Sequence, residues 1–318
     1  MTDPGTTKRS IYFFRVRVAP DTNGRAQEFN PDEAVRRIAE LSFARNITGA
    51  SSAYHTYQDG SAVAVWPLPQ TPAPRVGLKL GGLRRQNLPH LEDGGNLDAL
   101  NLQVGKNLAE LTHMVFFKEK KQLIVASEAN FFGPRPTRFP YYLQAKFSDM
   151  PQIFLELLVN EHMAKKLNTL EDIRLLRLKL RRSNADVLKE ASPSLAKALQ
   201  AACEDADAPV FELTLRADER SRQALNPSLI DMVKNIIGLG LVDRGREEIV
   251  VRGYSNETSR VEEFDLLKDR AVVKTVVMKE SEKSRNVDSE DMISKMIESY
   301  EGEKSWLLKA PSLASLRQ

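Results

Sequence analysis

The side chains of this sequence that could do chemistry are mainly cationic, and they fall into two groups. A guanidinium group presents a fork of N–H donors that matches a phosphate, and a row of such groups gives salt-sensitive, sequence-independent binding to nucleic acid. One group is expected on loops and turns near residues 111–147, and the other on a strand near residue 177. The candidate phosphate contacts are Arg84, Arg85, Lys120, Lys121, Arg135, Arg138, Arg177, Lys179 and Arg181.

The second group lies in a segment with strict alternation, IRLLRLKLRR at residues 173–182. From Leu176 onward, leucines alternate with basic residues, which predicts a half-buried strand with a cationic outer face. Replacing Arg177, Lys179 and Arg181 with Glu should abolish nucleic-acid binding and leave the fold intact, because these side chains are expected to point outward.

The same basic residues also fit an ordinary surface role. Arg84 and Arg138 could pair with nearby carboxylates such as Glu128, and exposed strand faces are often basic because this discourages edge pairing. Arg135 differs from the others, because it lies between two prolines and its backbone has little entropy left to lose on binding.

No motif indicates a catalytic site. Glu119-Lys120-Lys121 has the residue types of a metal-dependent nuclease, but it falls in a predicted hairpin turn, where charges are usually solvated. The four histidines are scattered singly, and His113, at the head of an apolar strand, is interpreted as structural. The sequence has no phosphate-binding glycine loop and no Gly-x-Ser-x-Gly motif. We therefore predict no catalytic residue, no metal and no cofactor, with a nuclease as the alternative.

The composition is that of an ordinary globular protein, with 42% hydrophobic and 28% charged residues among 318. The single cysteine, Cys203, excludes an internal disulfide and fits a reducing compartment. No apolar run approaches the roughly 18 residues of a membrane span, and no signal peptide is apparent, so we expect a cytoplasmic protein without membrane insertion. Residues 1–150 hold 19 Lys and Arg against 14 Asp and Glu, which predicts a local basic patch.

An aromatic hairpin in residues 111–147 is expected to organise the first half of the chain. Two apolar runs, 113–117 and 122–126, flank the charged turn 118–121, which predicts two paired strands. A Gly-Pro turn follows at residues 133–136. The large side chains after this turn are expected to pack into the core: Phe139, Tyr141, Tyr142 and Leu143.

Helices are predicted at five places in the rest of the chain. The Asn-Pro pairs at residues 30–31 and 226–227 have the residue types of an N-cap followed by a first helical position. A helix that opens at residue 186 is expected to restart at Pro193, with Ser192 as its N-cap, and to run to about residue 204. Residues 151–166 have apolar residues at helical spacing, although the first few could be extended, and residues 289–306 predict a charged C-terminal helix.

The segments between these helices favour an α+β fold of antiparallel β-hairpins with interspersed helices. A strand is predicted at residues 75–80, ending at Gly81-Gly82, and a loop-rich excursion at residues 83–102. One boundary is expected to separate an N-terminal domain, 1–150, built on the aromatic hairpin, from a C-terminal domain, 151–318, that ends in the charged helix.

Residues 84–143 combine an Arg-Arg pair, a Leu-Pro and a Glu with the run THMVFFKEKKQLIVASEANFFGPRPTRFPYYL. This order of hairpin and Gly-Pro turn, with Phe132-Gly133-Pro134 as its motif-like part, resembles RexA-type phage-exclusion proteins and some uncharacterised bacterial defence-associated proteins. The resemblance implies a cytoplasmic, dimeric, DNA-binding component of antiphage defence without catalysis of its own. No role of an individual residue is carried over from it.

The sequence therefore predicts a non-catalytic nucleic-acid-binding protein that prefers DNA to RNA. The expected assembly is a homodimer, with a partner protein of the same system as a further possibility. Two alternatives stay open: a metal-dependent nuclease, and an interaction scaffold whose aromatic hairpin or C-terminal Trp306 docks a partner.

Overall fold

The computed structural model has an α+β fold with mostly antiparallel strands, as the sequence predicts. The structure describes residues 5–44, 47–57, 62–84, 90–93, 96–100, 102–103, 106–119, 122–130, 132–160, 170–181, 192–205, 208, 210–217, 224–226, 228–238, 248–255, 260–265 and 272–312. Within these ranges the chain forms five α-helices and three sheets.

The helices begin where the capping residues of the sequence place them. Asn30 Oδ1 accepts a hydrogen bond from the Asp32 backbone N–H (3.1 Å), and Pro31 occupies the first turn, where its missing N–H is not needed. The other predicted Asn-Pro helix begins at Ser228, and the predicted C-terminal helix begins at Ser289. The five helices are α1 Pro31–Ala39, α2 Arg138–Lys146, α3 Pro193–Asp205, α4 Ser228–Gly238 and α5 Ser289–Leu307.

Fourteen strands lie in the described residues. They are β1 Thr6–Val18, β2 His55–Thr56, β3 Ala62–Leu68, β4 Val76–Arg84, β5 His90–Asp93, β6 Asn96–Ala99, β7 Leu108–Glu119, β8 Gln122–Glu128, β9 Ile153–Leu157, β10 Leu170–Arg181, β11 Val210–Arg216, β12 Glu248–Ser255, β13 Arg260–Asp265 and β14 Val272–Met278. An eight-stranded sheet has the order β14-β1-β8-β7-β4-β3-β2, with β9 also pairing with β1. A four-stranded sheet has the order β11-β10-β12-β13, and β5 pairs with β6 alone.

The chain divides into two compact units that are both discontinuous in sequence. The first unit comprises residues 1–11, 16–155 and 273–302, and the second comprises residues 12–15, 156–272 and 303–318. Most of the eight-stranded sheet belongs to the first unit, and the four-stranded sheet belongs to the second. Segments from both ends of the chain thus join each unit.

Strand β7 is covered on both faces by aromatic side chains. Phe117 stacks on Tyr300 of α5, with ring centroids 3.9 Å apart. Its neighbour Phe116 points to the opposite face, where it packs against Phe29 and Phe139 with centroid distances of 6.3 and 5.7 Å. Burial on both faces explains why this strand is continuously apolar in sequence instead of alternating.

The side chains that follow the Gly-Pro turn are buried with one exception. Phe139, Tyr142 and Leu143 are all buried, as predicted. They share one face of α2, because residues three and four positions apart in a helix lie on the same side. Tyr141 was expected in the core, but it projects from another face of α2 and is 61% exposed.

Strand β10 confirms the predicted alternation. Leu176, Leu178 and Leu180 are buried, whereas Arg177 and Lys179 are only half-buried on the other face. The strand is central in its sheet, pairing with β11 on one side and β12 on the other.

The segment 151–166, predicted as a helix whose first few residues could be extended, does begin as a strand. Residues Ile153–Leu157 form strand β9, with side chains that alternate between buried and half-buried. Apolar residues at 153, 155 and 157 have the period of a strand, and this period prevails over the helical spacing because β9 pairs with β1. Residues 161–169 lie outside the described part of the chain.

Strand β4 does not end at its double glycine but continues to Arg84. A Cβ at Gly81 would collide with the ring of Trp66, and a Cβ at Gly82 would lie 3.4 Å from Pro134 Cδ. The two glycines therefore allow close packing on both faces of the strand instead of a turn. The loop expected beyond it contains the short hairpin of β5 and β6.

Candidate functional site

One end of the eight-stranded sheet brings together segments that are distant in sequence. Strand β4 ends there at Arg84, opposite Leu108 at the start of β7. The Ala129 N–H donates to the Ser10 carbonyl (2.8 Å), and the Lys279 N–H donates to the Gly5 carbonyl (3.0 Å). These bonds bring the segments that follow β8 and β14 to the start of β1. We refer to this region as the sheet end, comprising residues 5–10, 82–84, 108–113, 128–130, 132–135 and 279–289.

At the sheet end, the ring of His113 lies between a carboxylate and a hydroxyl. His113 Nδ1 is 2.7 Å from Glu128 Oε2, and His113 Nε2 is 3.0 Å from Ser289 Oγ. The backbone N–H of His113 also donates to Glu128 Oε2 (3.3 Å). The side chains of His113 and Glu128 are each only 1% exposed, whereas Ser289, the first residue of α5, is half-buried. The hydroxyl is therefore the most accessible member of this cluster.

Two neighbours, Arg9 and His113, stabilise the ionised form of Glu128. Arg9 Nε donates to Glu128 Oε1 (2.7 Å), and Arg9 Nη2 donates to the Arg285 carbonyl (2.8 Å). Burial acts to raise the pKa of Glu128, but the hydrogen bond from His113 and the attraction of His113 and Arg9 outweigh burial, so this pKa is lowered. The charge attraction to His113 acts only when the ring is protonated. When the ring is neutral, Nδ1–H still donates a hydrogen bond to the Glu128 carboxylate, and the Nε2 lone pair then faces the Ser289 hydroxyl.

The Gly-Pro turn that follows β8 is fixed against the sheet. Thr112 Oγ1 donates to the Pro134 carbonyl at 2.8 Å. A Cβ on Gly133 would collide with Thr112 Oγ1 and would lie 2.9 Å from the Leu111 carbonyl oxygen, so a side chain does not fit at this position without movement. The turn therefore holds the following residue, Arg135, at a defined place beside β4 and β7.

Arg84 lies next to this turn. A Cβ built on Gly82 would lie 3.4 Å from Pro134 Cδ, so this part of β4 lies close to the turn. Arg84 is two residues further along the strand, and its side chain leaves the same face about 7 Å away. Arg84 is exposed and Arg135 is half-buried. Two of the predicted phosphate contacts, 51 positions apart in sequence, therefore belong to segments that are neighbours at the sheet end.

A third guanidinium group and an exposed aromatic ring lie at the same turn. The guanidinium carbon of Arg285 is 4.5 Å from the centroid of the Phe132 ring. Arg285 Nη1 is 3.8 Å from Glu110, which lies opposite Gly82 in the sheet, and the Arg285 side chain is 62% exposed. Phe132 is 45% exposed. We refer to Arg84, Phe132, Arg135 and Arg285 as the turn patch.

The basic row of β10 has a different setting. Residues directly opposite one another in neighbouring strands share a face of the sheet. Lys179 lies opposite Glu212 of β11 and Glu248 of β12, and Arg177 Nη2 is 3.8 Å from Glu263 of β13. Carboxylates on β11, β12 and β13 thus lie beside the basic residues of β10, so this face of the sheet carries charges of both signs.

The other predicted contacts are dispersed or undescribed. Arg138 lies over the ring of Tyr57, with its guanidinium carbon 4.6 Å from the centroid. Arg181 ends β10, and its side chain lies outside the described part, as do three residues of the prediction: Arg85, Lys120 and Lys121. Glu119, the acid of the nuclease-like fragment, accepts a hydrogen bond from the Tyr300 hydroxyl (2.8 Å).

Comparison with protein families gives one match to the chain. The model of the family of unknown function DUF6731 matches residues 77–306, which is more than half of the 318 residues. The chain belongs to this family. No curated protein matches the chain. The DUF6731 segment contains the whole turn patch, together with His113, Glu128 and Ser289, and Arg9 lies before it.

In the described residues, no group of three or more His, Cys, Asp or Glu side chains is placed to hold a metal ion. None of the described helices is both long and apolar enough to cross a membrane.

Sequence reasoning missed four residues of the sheet end: Arg9, Glu128, Arg285 and Ser289. A weak signal existed for Glu128, because a carboxylate that ends the apolar run LIVASE must find partners if it is buried. Ser289 lies in Asp-Ser-Glu-Asp before a helix, a pattern that indicates only a helix cap. Its contact with His113 spans 176 positions and has no local signature.

Proposed function

We propose that this chain binds nucleic acid through phosphate contacts made by the turn patch. The observation that carries the proposal is the contact of the Arg285 guanidinium with the exposed ring of Phe132. This contact lies at the Gly-Pro turn that precedes Arg135 and packs against the strand that carries Arg84. Guanidinium groups match phosphate oxygens in geometry, and groups on an ordered backbone lose little entropy on binding.

The exposed ring supports a preference for unpaired bases. Binding sites for single strands combine a cationic track for the backbone with aromatic rings on which bases stack, and each stacked base contributes about 1–3 kcal/mol. Phe132 and Arg285 offer both elements within one contact. We therefore expect single-stranded DNA to bind more tightly than duplex DNA of the same length.

The basic row of β10 supports this function less well. A phosphate that approaches Lys179 or Arg177 also approaches the carboxylates of Glu212, Glu248 and Glu263, which repel it. In the turn patch, Arg285 also has a carboxylate nearby, Glu110 at 3.8 Å, but its side chain is more exposed than that of Arg177 (62% against 34%) and contacts the ring of Phe132. We therefore prefer the turn patch as the site.

Several parts of the sequence-based hypothesis stay predictions alongside this proposal. The preference for DNA over RNA, the homodimer, the cytoplasmic location and the role in antiphage defence belong to it, and they rest on composition and on the resemblance. The nuclease alternative also stays a prediction, and the binding assay tests it when Mg²⁺ is included.

The test is fluorescence anisotropy with labelled single-stranded DNA, duplex DNA and RNA, each with and without Mg²⁺, followed by a gel of the products. Three phosphate contacts on a single strand should lower the affinity about 20-fold between about 50 and about 200 mM salt, because each contact adds about 0.7 to the salt slope. Intact DNA after the assay supports a binder, and Mg²⁺-dependent cleavage supports the nuclease.

A charge-reversal pair locates the site. The Arg84→Glu/Arg285→Glu variant should lose about tenfold or more in affinity and show a shallower salt slope. The matched control is Arg25→Glu/Lys118→Glu, which makes the same change of charge on the loop after β1 and at the end of β7, away from the sheet end. Absence of binding at low salt, or wild-type affinity in the Arg84→Glu/Arg285→Glu variant, would contradict the proposal.

A further inference from the structure

We propose that Ser289, His113 and Glu128 form a nucleophile–base–acid triad that hydrolyses carboxylic esters, an activity separate from nucleic-acid binding. The hydroxyl, imidazole and carboxylate are joined in this order by distances of 3.0 Å (Ser289 Oγ to His113 Nε2) and 2.7 Å (His113 Nδ1 to Glu128 Oε2). A nucleophile within hydrogen-bond reach of a base, which is itself oriented by a third group, is the arrangement that activates a serine.

The environment of the ring suits a general base. The carboxylate of Glu128 accepts from Nδ1, and its second oxygen is occupied by Arg9 Nε at 2.7 Å, so the acid is fixed from both sides. The negative charge of Glu128 is balanced by Arg9 before a proton is transferred, and it can stabilise the imidazolium that forms when His113 accepts one. Glu128 and Arg9 are positioning residues in this scheme.

Ser289 is also placed where donors for an oxyanion are available. It is the first residue of α5, and the Asp288 side chain accepts from the Asp291 N–H (2.9 Å) while the Asp288 carbonyl accepts from the Met292 N–H (3.0 Å). The earlier N–H groups, on Ser289 and Glu290, have no acceptor within the helix because no turn precedes them. The N–H of the residue after the nucleophile is a usual donor to the oxyanion.

The proposed reaction has two steps, acylation of Ser289 and hydrolysis of the acyl-serine. Ser289 Oγ attacks the carbonyl carbon of the ester and forms an O–C bond, and its proton passes to His113 Nε2. The bond to the leaving alkoxide then breaks, and the alkoxide takes the proton from Nε2 to leave as an alcohol. Water repeats the sequence on the acyl-serine, which releases a carboxylic acid and restores the Ser289 hydroxyl.

The proposal is tested by labelling the full chain with an alkyl fluorophosphonate, whose phosphorus bonds to an activated serine as fluoride leaves. Intact mass should show one adduct, and peptide mapping should place it on Ser289. Ser289→Ala should abolish the adduct, whereas Ser299→Ala, on the same helix with its hydroxyl bonded to the Lys295 carbonyl, should label like the wild type. Hydrolysis of a p-nitrophenyl ester is the parallel measurement.

Variants of the other two members separate catalysis from structure. His113→Gln should slow labelling by about 100-fold or more, the usual contribution of a general base. Glu128→Asp keeps the charge and should label faster than Glu128→Gln. If the role of Glu128 were only structural, Glu128→Gln would label faster, because Gln is closest to Glu in size. A natively folded wild-type protein that gains no adduct, or gains it on another serine, would overturn the proposal and leave the cluster as a tie between α5 and the sheet.

Discussion

The turn patch and the basic row of β10 use the same residue types in different settings. In β10, Arg177 and Lys179 are regularly spaced. Carboxylates of β11 and β12 lie opposite Lys179, and a carboxylate of β13 lies near Arg177. In the turn patch, Arg84, Arg135 and Arg285 have no sequence spacing in common and belong to three separate segments of the sheet end.

The contrast shows why a regular charge pattern is a weak guide to a binding surface. A strand in the middle of a sheet has two neighbours, and selection for pairing places opposite charges across from one another. At the turn, residues from segments that are distant in sequence meet, so neither a basic cluster nor its acidic neighbours, such as Glu110 beside Arg285, follow a regular spacing. The two regions also differ in burial, because the sheet end contains a nearly inaccessible carboxylate and β10 has only partly exposed pairs.

The largest expected effect compares one acidic residue from each region. Glu128→Ala should lower the free energy of unfolding by about 3–5 kcal/mol, because it leaves Arg9 and His113 without their buried partner. Glu263→Ala removes a partly exposed pair with Arg177 and should cost at most about 1 kcal/mol. Urea denaturation of both variants measures the difference. Equal losses would show that the sheet-end cluster is not a stabilising element of the first unit.

The next effect compares two exposed aromatic residues in a binding assay. Phe132→Ala should weaken binding of single-stranded DNA by about 1–3 kcal/mol and change duplex binding less, because only unpaired bases stack on a ring. Tyr254, 37% exposed on the four-stranded sheet, is the control, and Tyr254→Ala should leave the affinity unchanged. A larger loss from the tyrosine would move the binding surface to the second unit.

A glycine pair tests whether the turn is fixed. Gly133→Ala should cost about 1–3 kcal/mol, because its Cβ would meet Thr112 Oγ1 and the Leu111 carbonyl. Gly302 lies in α5 with nothing within 4 Å of an added Cβ, so Gly302→Ala should be neutral or stabilise by about 0.5–1 kcal/mol. If Gly133→Ala unfolds like the wild type and binds DNA equally well, the turn does not position Arg135.

The smallest effect appears in the acid limb of the stability curve. The folded-state pKa of Glu128 is lowered, so its stabilisation is present above the unfolded value of about 4.3 and is lost as the pH falls through the folded-state pKa. Glu128→Gln lacks this term, and its stability should approach that of the wild type as the pH falls. The measurement is urea unfolding of both proteins from pH 7 to about pH 3. A constant difference across this range would show that Glu128 does not titrate differently in the folded state.

The sequence predicted most elements and few of the contacts of the candidate site. Strand β10, the hairpin of β7 and β8, and helix α5 were predicted correctly because their periodicity and capping residues are local. The start of residues 151–166 was left open between helix and extended chain, because its apolar positions fit both periods until the pairing of β9 with β1 is known. The contact of His113 with Ser289 depends on how α5 packs on the sheet, and no local pattern specifies this packing.

The central claim is that the turn patch, and not β10, contacts phosphate. The most direct measurement is the affinity for one single-stranded DNA, at one low salt concentration, of Arg84→Glu/Arg285→Glu and of Arg177→Glu/Lys179→Glu. Both variants make the same change of net charge, so a general electrostatic effect cancels between them. We predict a loss of about tenfold or more for the turn-patch variant and less than about threefold for the β10 variant. The opposite order, or equal losses, would contradict this account.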